Sequence, residues 1–64
     1  MTDAFVIETA TAVAGIAVRQ RRGFRFFVSD NRFATLEQRV FSSTQAARRA
    51  AELIERAQRR STAR

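Results

Sequence analysis

The chain has 64 residues, enough for one small domain, and a domain of that size buries only ~60% of the surface its unfolded chain exposes. It contains neither Cys nor His, which excludes a disulfide framework and the common zinc sites and leaves a compact unaided core or a homo-oligomer. All 12 basic residues are arginine, against 6 acids, and the net charge of +6 is uneven: residues 1–18 carry −2, residues 19–25 +4, residues 26–47 zero and residues 48–64 +4.

An arginine- and alanine-rich composition can arise in a GC-rich genome, whose codons favour both residues; that covers much of the arginine count but not its unevenness. Asp3 stands where a secretory signal needs a basic region, and no cleavage pattern follows. The apolar stretch from Ala4 to Val18 is too short to span a bilayer and contains Glu8 and Gly15. The expected compartment is the cytoplasm.

Phe5-Val6-Ile7-Glu8-Thr9 is β-branched and aromatic and predicts a strand, with a helix from Asp3 onward as the competing reading. Ala14-Gly15 offers a turn or bulge. Ile16 to Arg21 alternates with period two, placing Ile16 and Val18 on one face and Arg19 and Arg21 on the other. Arg22-Gly23 suits a tight hairpin turn, glycine accepting positive φ at little cost. The return strand, Phe24 to Ser29, puts Phe24, Phe26 and Val28 on one face and Arg25 and Phe27 on the other. Asp30-Asn31 ends it. Phe33 and Leu36 are expected at an edge of the core, and Arg39-Val40-Phe41 as a short last strand.

Ser42-Ser43-Thr44-Gln45 fits a capping box with Ser42 as the cap and Phe41 as a hydrophobic staple. Beyond it Ala46, Ala47, Ala50, Leu53, Ile54 and Ala57 form an apolar stripe at helical spacing, with Arg48, Arg49, Glu52, Glu55, Arg56 and Arg59 opposite. Glu52–Arg56 and Glu55–Arg59 are i,i+4 pairs in the favourable order. The fold class predicted is α+β: a three- or four-stranded antiparallel sheet packed on one face by a single C-terminal helix, β-β-β-(β)-α. It makes one domain over 1–60, with 61–64 a basic, disordered tail.

Catalytic chemistry finds little to work with. Without His, Cys, Lys or Tyr, acid–base roles fall to six carboxylates. Ser29, Ser42, Ser43 and Ser61 have no activating base of the usual kind, and no phosphate-binding glycine loop or EF-hand pattern occurs. The chain is expected not to be an enzyme and to use no cofactor, metal or small-molecule substrate. The helix stripe is mostly alanine and lacks the bulky anchors of membrane-surface helices, so no membrane partner is expected.

The remaining candidate is the basic–aromatic strand pair. If Ile16, Val18, Phe24, Phe26 and Val28 face the helix, then Arg19, Arg21, Arg25 and Phe27 face away. On that open face the arginines can contact phosphates or guanine edges, and Phe27 can stack on a base. The chain then reads as a small binding module for nucleic acid. The alternative is a homodimer or protein-interaction domain using the same open face. A plainer reading makes these arginines a solvated guard against edge-to-edge aggregation, their stems shielding Phe27.

The run Gly15-Ile16-Ala17-Val18-Arg19, then Arg22-Gly23-Phe24-Arg25-Phe26-Phe27, then Phe41-Ser42 leading into Ala46-Ala47-Arg48-Arg49-Ala50-Ala51, resembles a group of short bacterial hypothetical proteins. That resemblance implies no activity. The Phe-Arg-Phe strand, polar turn, short strand and Ser-capped helix are also similar to the single repeat of the YegP-like proteins, with Asp30-Asn31-Arg32 in place of their Asn-Gly turn. The same order resembles the arm-type DNA-binding domain of phage integrases and the AP2-like domain, here without the latter's tryptophans. This last likeness implies DNA contacts at Arg19, Arg21, Arg25 and Phe27.

Overall fold

The computed structural model describes the backbone of residues 3–62 and the side chains of residues 3–58. Four strands form one antiparallel sheet in the order β1 (Ala4–Glu8), β2 (Val13–Gln20), β3 (Gly23–Val28) and β4 (Val40–Phe41). A 3-10 helix (Asn31–Leu36) links β3 to β4, and one α-helix, α1 (Thr44–Thr62), packs on one face. The architecture is the α+β arrangement that the sequence predicts, with β1 a strand rather than a helix. α1 takes in Ser61 and Thr62, and the rest of the predicted tail lies outside the described residues. Among the described residues, no helix is long and apolar enough to cross a membrane.

The bend at Ala14-Gly15 is a bulge rather than a turn. Ile7 pairs with Gly15 but Glu8 pairs with Val13, so Ala14 is the extra residue, and it is fully buried. The chain reverses earlier, over Thr9–Ala12, where the Thr9 amide donates to the Ala12 carbonyl at 2.8 Å. At the next reversal Gln20 pairs with Gly23, so the loop is Arg21-Arg22, and Gly23 opens β3 at φ 136°. A Cβ on Gly23 would lie 2.3 Å from the Phe41 carbonyl oxygen, a second reason for glycine there.

The core consists of Ile7, Ala14, Ala17, Phe26, Phe33, Leu36, Ala47 and Ala51. Phe33 and Leu36 are full members, brought in by the 3-10 helix that Asp30 caps through a 2.9 Å bond from the Arg32 amide. The hydrogen-bonded Arg32 guanidinium holds the Asp30 carboxyl below its ordinary pKa. The outer edge of β3 is satisfied without a long fourth strand. Phe26 donates to Arg39 O at 2.8 Å, Gln38 donates to Phe26 O at 2.7 Å, and Val28 donates to the Glu37 carboxylate at 2.7 Å.

The helix start and the helix stripe both differ from the sequence expectation. Ser43, not Ser42, is the cap: its hydroxyl accepts from the Ala46 amide at 3.1 Å, so Gln45 is not at the capping-box position. The inward face is Ala47, Ala51 and Glu55 with Ala50 and Ile54 beside it, whereas Leu53 is 62% exposed. Glu55, read as part of the charged side, is only 7% exposed. Its carboxylate accepts from the Thr9 hydroxyl at 2.5 Å, from the Thr11 amide at 3.3 Å and from the Thr11 hydroxyl, tying the β1–β2 loop to the helix. Glu52 pairs with Arg48 at 3.2 Å rather than with Arg56. The expected Glu55–Arg59 pair lies outside the described side chains.

Two stability measurements follow. A Cβ on Gly15 would meet Phe27 O at 2.2 Å and the Phe26 ring at 2.7 Å. Gly15→Ala should therefore cost about 3 kcal/mol, at the upper end of overpacking penalties, and lower the melting temperature by more than ~10 °C. Glu55→Ala removes the acceptor of the Thr11 hydroxyl and one of the two acceptors of the Thr9 hydroxyl and should cost about 2 kcal/mol, while Leu53→Ala should stay within about 0.5 kcal/mol. Thermal and urea denaturation followed by circular dichroism measure both, and a larger loss from Leu53 than from Glu55 would contradict the helix orientation.

Candidate functional site

Residues directly opposite each other across an antiparallel ladder share a face. On the helix side the rows are Ile7–Gly15–Val28, Phe5–Ala17–Phe26 and Arg19–Phe24–Phe41, with Ile7, Ala17 and Phe26 buried. The open side has Val6–Ile16–Phe27 as its middle row and Ala4–Val18–Arg25–Val40 as the row nearer the hairpin turn. Glu8 and Val13 pair at the opposite end.

The predicted phase of β2 is therefore inverted. Ile16 and Val18 were expected to face the helix, yet they lie on the open side, and Ala17 is the buried residue. The reason is volume. Phe24 and Phe26 supply bulk from β3, and the ring of Phe26 already fills the space beside Gly15. The inward positions of β2 are consequently small, and its larger aliphatic residues turn outward.

This inversion separates the four predicted site residues. Arg19 lies on the helix side, its guanidinium 5.3 Å from the Phe24 ring centre and its Nε 3.2 Å from Asp3 Oδ2. Arg21 is exposed in the turn. Arg25 and Phe27 share the open face, and Arg25 Nη1 donates to Gln38 O at 3.2 Å. Arg25 and Phe27 are thus brought together, Arg21 stands at the end of the same strand pair, and Arg19 is on the other side.

Sequence reasoning missed two features. The first is aliphatic: Val6 (61% exposed), Ile16 and Phe27 (40% each) and Val40 (45%) form, with Val18, an apolar open face. The signal was Val6 between Phe5 and Ile7, which must face opposite to both. The second is Arg22, which joins Gln20, Arg21, Arg25 and Val40 around an open depression of about 580 Å³.

Charge is polarised along the strands. Asp3 lies at the hairpin end and is bound to Arg19. The other acids stand elsewhere: Glu8 at the far end of β1, Glu37 against Val28, Asp30 beyond β3, and Glu52 and Glu55 on α1. Arg32 and Arg48 are neutralised by Asp30 and Glu52, whereas Arg21 and Arg22 have no ion pair among the described residues. No protein-family model, curated protein or solved structure matches the chain.

Proposed function

We propose that the chain is a small non-catalytic binding module that docks a second copy of itself through its open sheet face. The observation that carries this reading is the exposed row Val6–Ile16–Phe27 flanked by Val18 and Val40. Contiguous apolar surface of this kind is costly to leave in water and marks association sites. The same face offers nucleic acid little: Arg25 is its one arginine, and the rest of its rows are aliphatic or aromatic apart from Glu8 at the end.

A second copy fits for three reasons. A 64-residue chain without disulfides gains most from burying such a face against itself. A two-fold rotation about an axis across the strands carries the Val6–Ile16–Phe27 row onto its own counterpart, giving sheet-on-sheet packing about 10 Å thick. That rotation also sends the two arginine-rich hairpin ends to opposite ends of the pair and brings each Glu8 end over the partner's Arg25 end. The footprint is roughly 20 × 20 Å, so the pair buries on the order of 800–1,000 Å² in total, at the small end of specific interfaces.

Sedimentation equilibrium from low micromolar to millimolar protein tests this, with a monomer–dimer equilibrium expected in the micromolar range. Phe27→Ser and Ile16→Ser alter exposed positions and should shift it to monomer while circular dichroism stays unchanged. A monodisperse monomer over the whole range, or a dimer indifferent to both substitutions, would overturn the assignment.

A further inference from the structure

We infer that the tip of the β2–β3 hairpin is a second site, meeting the sheet-face pairing at Arg25 and Val40, which grips the phosphate backbone of nucleic acid through Arg21 and Arg22 at the tip and Arg25 beside them. Arg21, Arg22 and Arg25 line one open depression with Gln20 and Val40, and no acidic residue is among them. The other arginines that adjoin an acid have spent their charge: Arg19 on Asp3, Arg32 on Asp30, Arg48 on Glu52. Charge at the tip is unspent.

The tip is also held in place. Gln20 and Gly23 close the turn by pairing, and Gly23 sits at φ 136° with the Phe41 carbonyl packed where a side chain would be. Arg25 is half-buried and anchored to Gln38 O. The arginines therefore project from a fixed platform and lose less freedom on binding than arginines of a loose tail.

The chemistry selects phosphate. Guanidinium presents a planar fork of donors that matches phosphate oxygens, and it keeps its charge at any physiological pH. An acidic peptide would need either an open strand edge or pockets for its side chains. Here β2 and β3 are paired to each other up to the turn, and Val40 is the single apolar residue of the depression. The grip is thus on the backbone and carries no sequence reading. The acidic groups at the other end of the sheet add a molecular dipole that turns the tip toward a polyanion.

Fluorescence anisotropy with a labelled 20-base-pair duplex DNA, titrated between 20 and 200 mM salt, tests the site. Three phosphate contacts predict a slope of log affinity against log salt of about −2.7. Arg21→Ser with Arg22→Ser should weaken binding more than tenfold at low salt and flatten the slope to about −0.9. The helix pair Arg49→Ser with Arg56→Ser should leave both unchanged, and Phe27→Ser should keep the slope, so that this site and the sheet-face pairing succeed or fail separately. No binding at 20 mM salt, an equal loss from the helix pair, or equal competition by poly-glutamate at matched charge would each overturn the assignment.

Discussion

The position of the Phe26 ring beside Gly15 governs the rest of the molecule. Phe26 is fully buried on β3, and the space it fills is the space a side chain on Gly15 would need. That fit makes the inward side of β2 a track of small residues, Gly15 and Ala17, with the bulged Ala14 beside them. The helix answers with small residues of its own, Ala47 and Ala51, which complete the same core. Packing at crystal-like density leaves no room to exchange the two faces of β2, because Ile16 and Val18 would have to displace the ring or the helix.

Half of the core residues are alanine, beside Ile7, Phe26, Phe33 and Leu36, and the structure supplements this small core with polar ties. Glu55 is the clearest. It lies on the inward side of α1 and gathers Thr9 and Thr11, so that the β1–β2 loop is fixed to the helix by bonds to a carboxylate. Hydrogen bonds to a charged group contribute more than neutral ones, and these satisfy the carboxylate of Glu55, which is only 7% exposed. Glu37 does the same for Val28 at the other side of the sheet, where β4 is only two residues long. Two of the three arginine–aromatic contacts, on Phe24 and Phe41, cover rings that the core leaves partly exposed, and the third lies over the buried Phe33.

The strands, their order and the C-terminal helix were legible in the sequence because they rest on local signals, β-branched runs and an alanine-rich stretch after serines. The 3-10 helix Asn31–Leu36 was not predicted, and the expected Arg22-Gly23 turn lies one residue earlier, at Arg21-Arg22. Which side of each element faces inward was legible only where the residues are large. Phe24, Phe26 and Val28 were placed on the right side of β3. Ile16 and Val18 were not, since alternation fixes a period and leaves the phase to tertiary packing. The helix failed in the same way. Leu53 outweighs Ala51 in any hydrophobicity count, yet the sheet admits alanine at that distance, and Glu55 is drawn inward by two threonines far away in sequence. The cap moved by one residue because Ser42 and Ser43 are chemically equivalent, and the run from β4 into the helix decides between them.

Inverting β2 changes what the surface is for. With Arg19 on the helix side, the open face loses a charge and gains Ile16 and Val18, while the remaining arginines gather where the strands end. Apolar face and basic tip then lie on one sheet and meet at Arg25 and Val40, and covering the Val6–Ile16–Phe27 row leaves Arg21 and Arg22, in the turn beyond it, in water. Five residues separate the Ile16 row from the turn at Arg21, roughly 16 Å of strand, so a pair related by an axis across that row holds its two tips on the order of 30 Å apart. That spacing is close to one turn of B-form DNA, about 34 Å, the distance at which two-fold symmetric proteins repeat their backbone contacts. The pairing supplies the spacing and the tip supplies the charge, so the two proposals require the same phase of β2 and are compatible in one assembly.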